Sequence, residues 1–150
     1  MSLTSRKSAL FGAIAVFLAV VGAAPGSALG DTPGRSTVEL EIAVGTGRGR
    51  VLCAVYERNG WLKRPVKGSA GPIQGHTATC RFNDLRSGTY AAGAFQDENL
   101  NGRLDRSWTG VPSEPWCVTR EARGTLRPPS FDAASFTVRD GSVHLRCRAR

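Results

Sequence analysis

The chain has only two histidines in 150 residues, and a Ser-His-Asp hydrolase would have to use one of them. His76 and His144 both fall on outward positions of alternating segments, and neither lies near a G-x-S-x-G turn. No C-x-x-C spacing occurs, which removes the usual basis for zinc ribbons and thioredoxin-type redox chemistry. No stretch interleaves aromatic residues with Lys and Arg, so a single-strand nucleic-acid groove has no footing. The apolar run Ala9–Ala24 is shorter than the roughly 20 residues a membrane-spanning helix needs. Downstream of it no ten-residue window carries a clean 3.6-residue period, so helical architectures are excluded.

What is present begins with an export signal. Arg6 and Lys7 precede the apolar run, and Pro25-Gly26-Ser27-Ala28-Leu29-Gly30 follows it, the order of a secretory signal peptide. Ala28 and Gly30 suit the −3 and −1 positions, so residues 1–30 are expected to be removed, leaving Asp31 as the mature N-terminus. No Cys follows the apolar run closely, which argues against a lipid-anchored precursor. An uncleaved anchor is the alternative.

Removal takes Arg6 and Lys7 from the 20 basic residues and none of the 12 acidic ones, leaving a formal charge of +6. Those charges are scattered except in Arg146-Cys147-Arg148-Ala149-Arg150, as on a solvated basic surface. Residues 31–150 suffice for one domain that buries roughly two thirds of its unfolded surface. Location is expected to be periplasmic or extracellular.

Period-2 alternation marks the strands. Thr37–Val44 places Val38, Leu40, Ile42 and Val44 on one face. Arg50–Glu57 reads as a second strand buried on both faces near its middle, and the glycine-rich turn Gly45–Gly49 between them predicts a hairpin. His76–Leu85 and Thr89–Phe95 are the third and fourth strands. Arg58–Gly75 and Trp108–Pro129 read as long loops. Phe131–Arg139 and Ser142–Arg148, split by Asp140-Gly141, read as a C-terminal hairpin. The expected fold is all-β: a single antiparallel β-sandwich of six or seven strands, immunoglobulin-like or prealbumin-like.

Four cysteines in an exported chain point to two disulfides, whose pairing spacing alone leaves open. Cys53 and Cys80 occupy apolar-facing positions of strands read as antiparallel neighbours, where opposed residues come close enough to bridge. That leaves Cys117 with Cys147.

The fourth strand delivers Asp97-Glu98-Asn99-Leu100-Asn101-Gly102-Arg103-Leu104-Asp105. Oxygen-bearing side chains stand at positions 1, 3, 5 and 9 with Gly at 6, as in the first nine places of a calcium loop. Asp97, Asn99, Asn101, Asp105 and the Arg103 carbonyl are therefore candidate Ca²⁺ ligands. Position 12 is Trp108, so the bidentate Glu is missing; Glu114 or Asp84 could supply a carboxylate. The competing reading is a run of Asx turns with Gly102 at positive φ.

Gly88-Thr89-Tyr90-Ala91, the Asp97–Asp105 run, Gly110-Val111-Pro112 with Glu114, and Pro128-Pro129-Ser130-Phe131-Asp132-Ala133-Ala134-Ser135-Phe136 occur in that order. Together they resemble a family of exported bacterial proteins catalogued as domain of unknown function 2141, over residues 37–148. The resemblance implies an exported β-sandwich without an assigned activity. Two departures stand out. Gln96 occupies a position where the family usually has His, and Glu114-Pro115-Trp116-Cys117-Val118 replaces a glycine- and aromatic-rich segment.

Three functions compete. The leading one is a non-enzymatic exported module holding Ca²⁺ in the loop. The alternative is a carbohydrate- or protein-binding adhesion module on the cell envelope using Trp61, Trp108 and Trp116. A glycan hydrolase ranks last: Asp97, Asp105 and Glu114 are its only acidic cluster, in a loop equally suited to a cation. Nucleic acid is not an expected partner.

Overall fold

The computed structural model describes residues 35–124 and 127–150; the expected signal peptide, residues 1–30, lies outside the described residues. Nine strands form two sheets: β1 (Ser36–Ala43), β2 (Arg50–Tyr56), β3 (Lys67–Gly71), β4 (Ile73–Gln74), β5 (Thr77–Leu85), β6 (Gly88–Asp97), β7 (Trp116–Val118), β8 (Phe136–Val138) and β9 (Ser142–Arg148). One sheet runs β4-β5-β1-β9. The other runs β3-β2-β6-β7, with β8 also on β6. The fold is all-β, as expected, with one short helix, α1 (Phe131–Ala134).

Alternation does its work on the inward faces. Val38, Leu40 and Ile42 of β1 and Ala78, Cys80 and Phe82 of β5 meet Val51, Cys53 and Val55 of β2 in one shared core. Glu39, Glu41, Thr79 and Arg81 point away from it. Tyr90 begins β6 with its ring in the core, and its hydroxyl donates to the Arg86 carbonyl (3.1 Å), tying the β5–β6 turn to the sheet.

Connectivity departs from the sequence reading. β1 and β2 are not a hairpin: the Gly45–Gly49 turn carries the chain from one sheet to the other, where β1 pairs with β5 and β2 with β6. The C-terminal hairpin is also absent. β8 pairs with β6 and β9 with β1, and Phe131–Ala134, expected to be strand, is the helical turn α1. Ser130 caps it by accepting the Ala133 N–H (3.2 Å). The β1–β9 ladder is parallel, so the sheets are not purely antiparallel. The strand count exceeds the expected six or seven because β3 and β4 lie inside the expected loop 58–75 and β7 inside the second one. His76 sits in the turn before β5 rather than on it.

Both disulfides join the expected pairs, Cys53–Cys80 and Cys117–Cys147. Each links the two sheets, so Cys53–Cys80 does not join neighbouring strands as expected. On one sheet Cys53, Ala94 and Cys117 stand in a single row across β2, β6 and β7. On the other, Cys80 and Cys147 flank β1 opposite Leu40 and Ile42. A small residue, Ala94, separates the two cystines.

The sheets also join at two corners. After β3 the chain passes Gly71 and Pro72 and continues as β4 in the other sheet. Pro72 has no N–H to leave unpaired at the crossing, and a Cβ on Gly71 would lie 2.6 Å from the Thr79 carbonyl oxygen. At the second corner, Arg150 exchanges two backbone hydrogen bonds with Trp116 (3.2 Å each), so the chain beyond β9 pairs with β7. The outer edge of β7 is thereby covered.

Candidate functional site

Two features share the β6–β7 end of the second sheet: the Asp97–Asp105 loop and a groove beside it. Asp97 closes β6 and is fully buried. Its Oδ1 accepts the Asn101 N–H (2.9 Å), and its Oδ2 accepts the Gly102 N–H (2.9 Å) and Arg50 Nε (3.2 Å). Gly102 has φ +78, the left-handed turn expected of it. Asn99 Oδ1 accepts the Asn101 N–H (3.1 Å) and Asn101 Oδ1 the Arg103 N–H (2.8 Å). Both are Asx turns.

The Asn99 and Asn101 amide nitrogens donate to the Asp105 carboxylate at 2.7–3.0 Å. Glu114, also buried, accepts the Glu98 N–H on Oε1 (3.1 Å) and the Asp105 N–H on Oε2 (3.0 Å). The fold thus brings Asp97, Asn99, Asn101, Asp105 and Glu114 together, and each is engaged by hydrogen bonds. Arg50, absent from the candidate ligands, supplies the positive charge beside Asp97. Asp84 lies apart, at the end of β5, in an ion pair with Arg35. Among the described residues no three His, Cys, Asp or Glu side chains cluster as metal ligands.

The β1–β2 turn packs onto the loop. Gly49 has φ +72, and a Cβ there would lie 2.0 Å from the Asp97 carbonyl oxygen. Buried Gln96 donates from Nε2 to the Thr46 (3.0 Å) and Arg48 (2.8 Å) carbonyls, which holds the turn in place. Its Oε1 has no hydrogen-bond partner among the described residues.

Past Asp105 the chain folds back on itself. Ser113 N–H donates to the Asp105 carbonyl (2.9 Å) and Ser107 N–H to that of Val111 (2.8 Å). Residues 105–113 become one wall of a groove of about 650 Å³ on the outer face of the second sheet. Its floor is Leu52 and Ala54 of β2, Gly93 and Phe95 of β6, and Val118 of β7. Ala54 is paired with Gly93, and Gly93 with Val118. The floor is therefore lowest along this row, between the larger Leu52, Phe95 and Trp116 and the Tyr56–Leu62 side. Burial pushes the Tyr56 phenol above its ordinary value. The rest of the outer face is sealed by Phe131 and Ala134 of α1 packed on Ala91 and Val118.

The three tryptophans have three fates. Trp61 donates its Nε1–H to the Pro129 carbonyl (2.8 Å) and packs edge-on against Tyr56 and Phe131, at centroid distances of 5.4 and 6.0 Å. It is a packing residue. Trp108 is 98% exposed. Trp116 lines the groove with the Arg123 guanidinium 5.6 Å from its ring centroid. The apolar outward residues of β2 were the sequence signal for this groove: they read as burial on both faces.

No curated protein and no solved structure matches the chain. A family model described as "Uncharacterized protein conserved in bacteria (DUF2141)" matches residues 42–146. With that match running from β1 into β9, across the loop and the groove floor, the chain belongs to the DUF2141 family.

Proposed function

We propose that the protein is an exported, non-enzymatic binding module whose ligand seat is the groove on the outer face of the β3-β2-β6-β7 sheet. The observation that carries this reading is the groove itself: about 650 Å³, within the range of small-molecule sites, with an apolar floor. The loop serves it as a brace, fixing the 105–113 wall through Glu114. Export draws support from the signal-peptide pattern and from two disulfides, which persist in oxidising compartments. An intact-mass measurement of the exported protein checks it, with Asp31 expected as the first residue.

A neutral apolar dye such as Nile red tests the seat. A Cβ on Gly93 would touch Val118 and Leu62 at 3.7 and 3.9 Å, so a larger side chain there extends into the groove. Gly93→Leu is expected to abolish dye binding while the melting temperature stays within a few degrees. Unchanged dye affinity in Gly93→Leu overturns the reading.

Calcium in the loop is a second reading, favoured by the convergence of Asn99 and Asn101 on Asp105. Rotating both amides about their terminal torsions would present oxygens where nitrogens now donate. Both Glu114 oxygens and Asp97 are already engaged, so only weak, extracellular-type affinity of roughly 10⁻⁴–10⁻³ M is expected. Millimolar Ca²⁺ then adds on the order of 1 kcal/mol relative to EDTA, lost in Asp105→Asn. Superimposable melting curves in Ca²⁺ and EDTA exclude it.

A further inference from the structure

We propose that the groove takes a small anionic amphiphile, an apolar chain ending in a single carboxylate, with its head group on Arg106 and Arg127. This rests on the reading of the groove as a ligand seat and adds the chemistry of its occupant.

Among the described residues, the charged ones lining the groove are Arg106 and Arg127, and no acidic side chain lines it. Several other arginines are matched to acids, among them Arg48 to Glu98, Arg50 to Asp97, Arg58 to Asp132 and Arg81 to Glu39, while exposed ones such as Arg64, Arg86 and Arg139 are not. Neither groove arginine belongs to an ion pair among the described residues. Arg106 is held by one bond, Nη1 to the Gly110 carbonyl (2.9 Å), which orients the guanidinium and leaves its other donors available. Cations without counter-charges beside an apolar floor favour a ligand that brings the negative charge with it.

The floor and wall argue against two other occupants. Leu52, Phe95 and Val111 offer apolar surface rather than hydrogen bonds, and the Trp116 ring is shared with Arg123. That is a poor platform for a sugar. The floor is recessed behind the 105–113 wall, so an occupant must enter the groove rather than lie across it as a membrane surface would.

The test uses the mature chain carrying Trp108→Phe, which removes an exposed fluorophore and leaves Trp116 as the groove reporter. Trp61 remains as a packed background fluorophore, whose contribution a Trp116→Phe control subtracts. The protein is titrated at low ionic strength with decanoate, decanol and decylamine below their aggregation concentrations. Decanoate is expected to bind roughly tenfold more tightly than decanol, as for one partly exposed charge-assisted hydrogen-bond pair, and decylamine more weakly than either. Arg127→Gln and Arg106→Gln should each weaken decanoate severalfold and leave decanol unchanged, with Arg106→Lys restoring most of the loss. Equal affinity for decanoate and decanol overturns the head-group assignment while leaving the groove as an apolar seat. Decanoate binding that survives the double Arg→Gln variant does the same. If none of the three binds, the groove reading falls as well, and so it does if sedimentation shows this face buried in a dimer.

Discussion

Removing the Glu114 carboxylate should loosen one end of the molecule by a calculable amount. Glu114 is only 8% exposed, and its two oxygens accept the N–H groups of Glu98 and Asp105 at 3.1 and 3.0 Å. Hydrogen bonds to a charged acceptor are worth about 1.5–3 kcal/mol each. The freed N–H groups lie on a partly exposed loop that water can reach, so the low end applies, about 3 kcal/mol for two. Relief of the carboxylate's own burial returns part of this, leaving a loss of about 2–3 kcal/mol for Glu114→Ala. For a domain of roughly 120 residues, 1 kcal/mol moves the melting temperature by about 4 °C, so a fall near 10 °C is expected. Glu114→Gln keeps one acceptor but sets an amide N–H₂ against the other N–H, and should lose at least half as much. Circular dichroism gives the melting temperature. Amide exchange at Glu98 and Asp105 shows whether the loss is local. Nile red affinity should fall in parallel, because residues 105–113 form the groove wall. A fall below 2 °C with both amides still protected would refute the clamp and the brace role built on it.

Gly49→Ala forces a side chain into the left-handed region, about 1–2 kcal/mol, and into the Asp97 carbonyl. It should lower the melting temperature by well over 10 °C, whereas Gly47→Ala, whose Cβ would have 3.6 Å of room, should be nearly silent; equal effects would sink the argument. The double variant Cys117→Ser/Cys147→Ser reopens a sequence separation of 30, worth roughly 3–4 kcal/mol by chain entropy, and denaturant unfolding showing less than 1 kcal/mol would contradict it. Acid stability should depend on Glu39, held below its usual range chiefly by its hydrogen bond to Arg81. A folded value below the unfolded one stabilises above about pH 4.5 and is lost as pH falls through the folded value. Glu39→Gln should therefore flatten the acid limb of the melting-temperature profile, and an unchanged limb counts against the pair.

Alternation made the inward faces of β1, β2, β5 and β6 legible, because side chains of a half-buried strand must alternate whatever they pair with. For the same reason it was silent on partners. Asp140-Gly141 does turn the chain, with Gly141 at φ +105, but a tight turn cannot specify that the strands it joins part company into two sheets. The count of two disulfides was legible in four cysteines of an exported chain, but the neighbouring-strand premise that pointed to Cys53–Cys80 was not what brings them together, since β2 and β5 lie in different sheets. The loop's Asx turns were written in its spacing. Arg50 was not, and Glu114 was named only beside Asp84, since each arrives from a distant segment whose register the loop motif does not encode. The groove was misread as a buried second face of β2. Leu52, Ala54 and Phe95 are apolar enough for a core, and only the placement of α1 decides how much of that face is sealed.

The parallel pairing of β1 with β9 has a mechanical consequence. Tension between Ser36, where β1 starts, and Arg148, where β9 ends, pulls the two strands past each other along their length. The seven residue pairs from Thr37–Ser142 to Ala43–Arg148 then bear load together in shear instead of opening one after another like a zipper. Slippage of β9 is checked in turn by the Cys117–Cys147 bridge, which anchors it to the opposite sheet. Force applied between those two points meets that ladder and the bridge before the chain can lengthen.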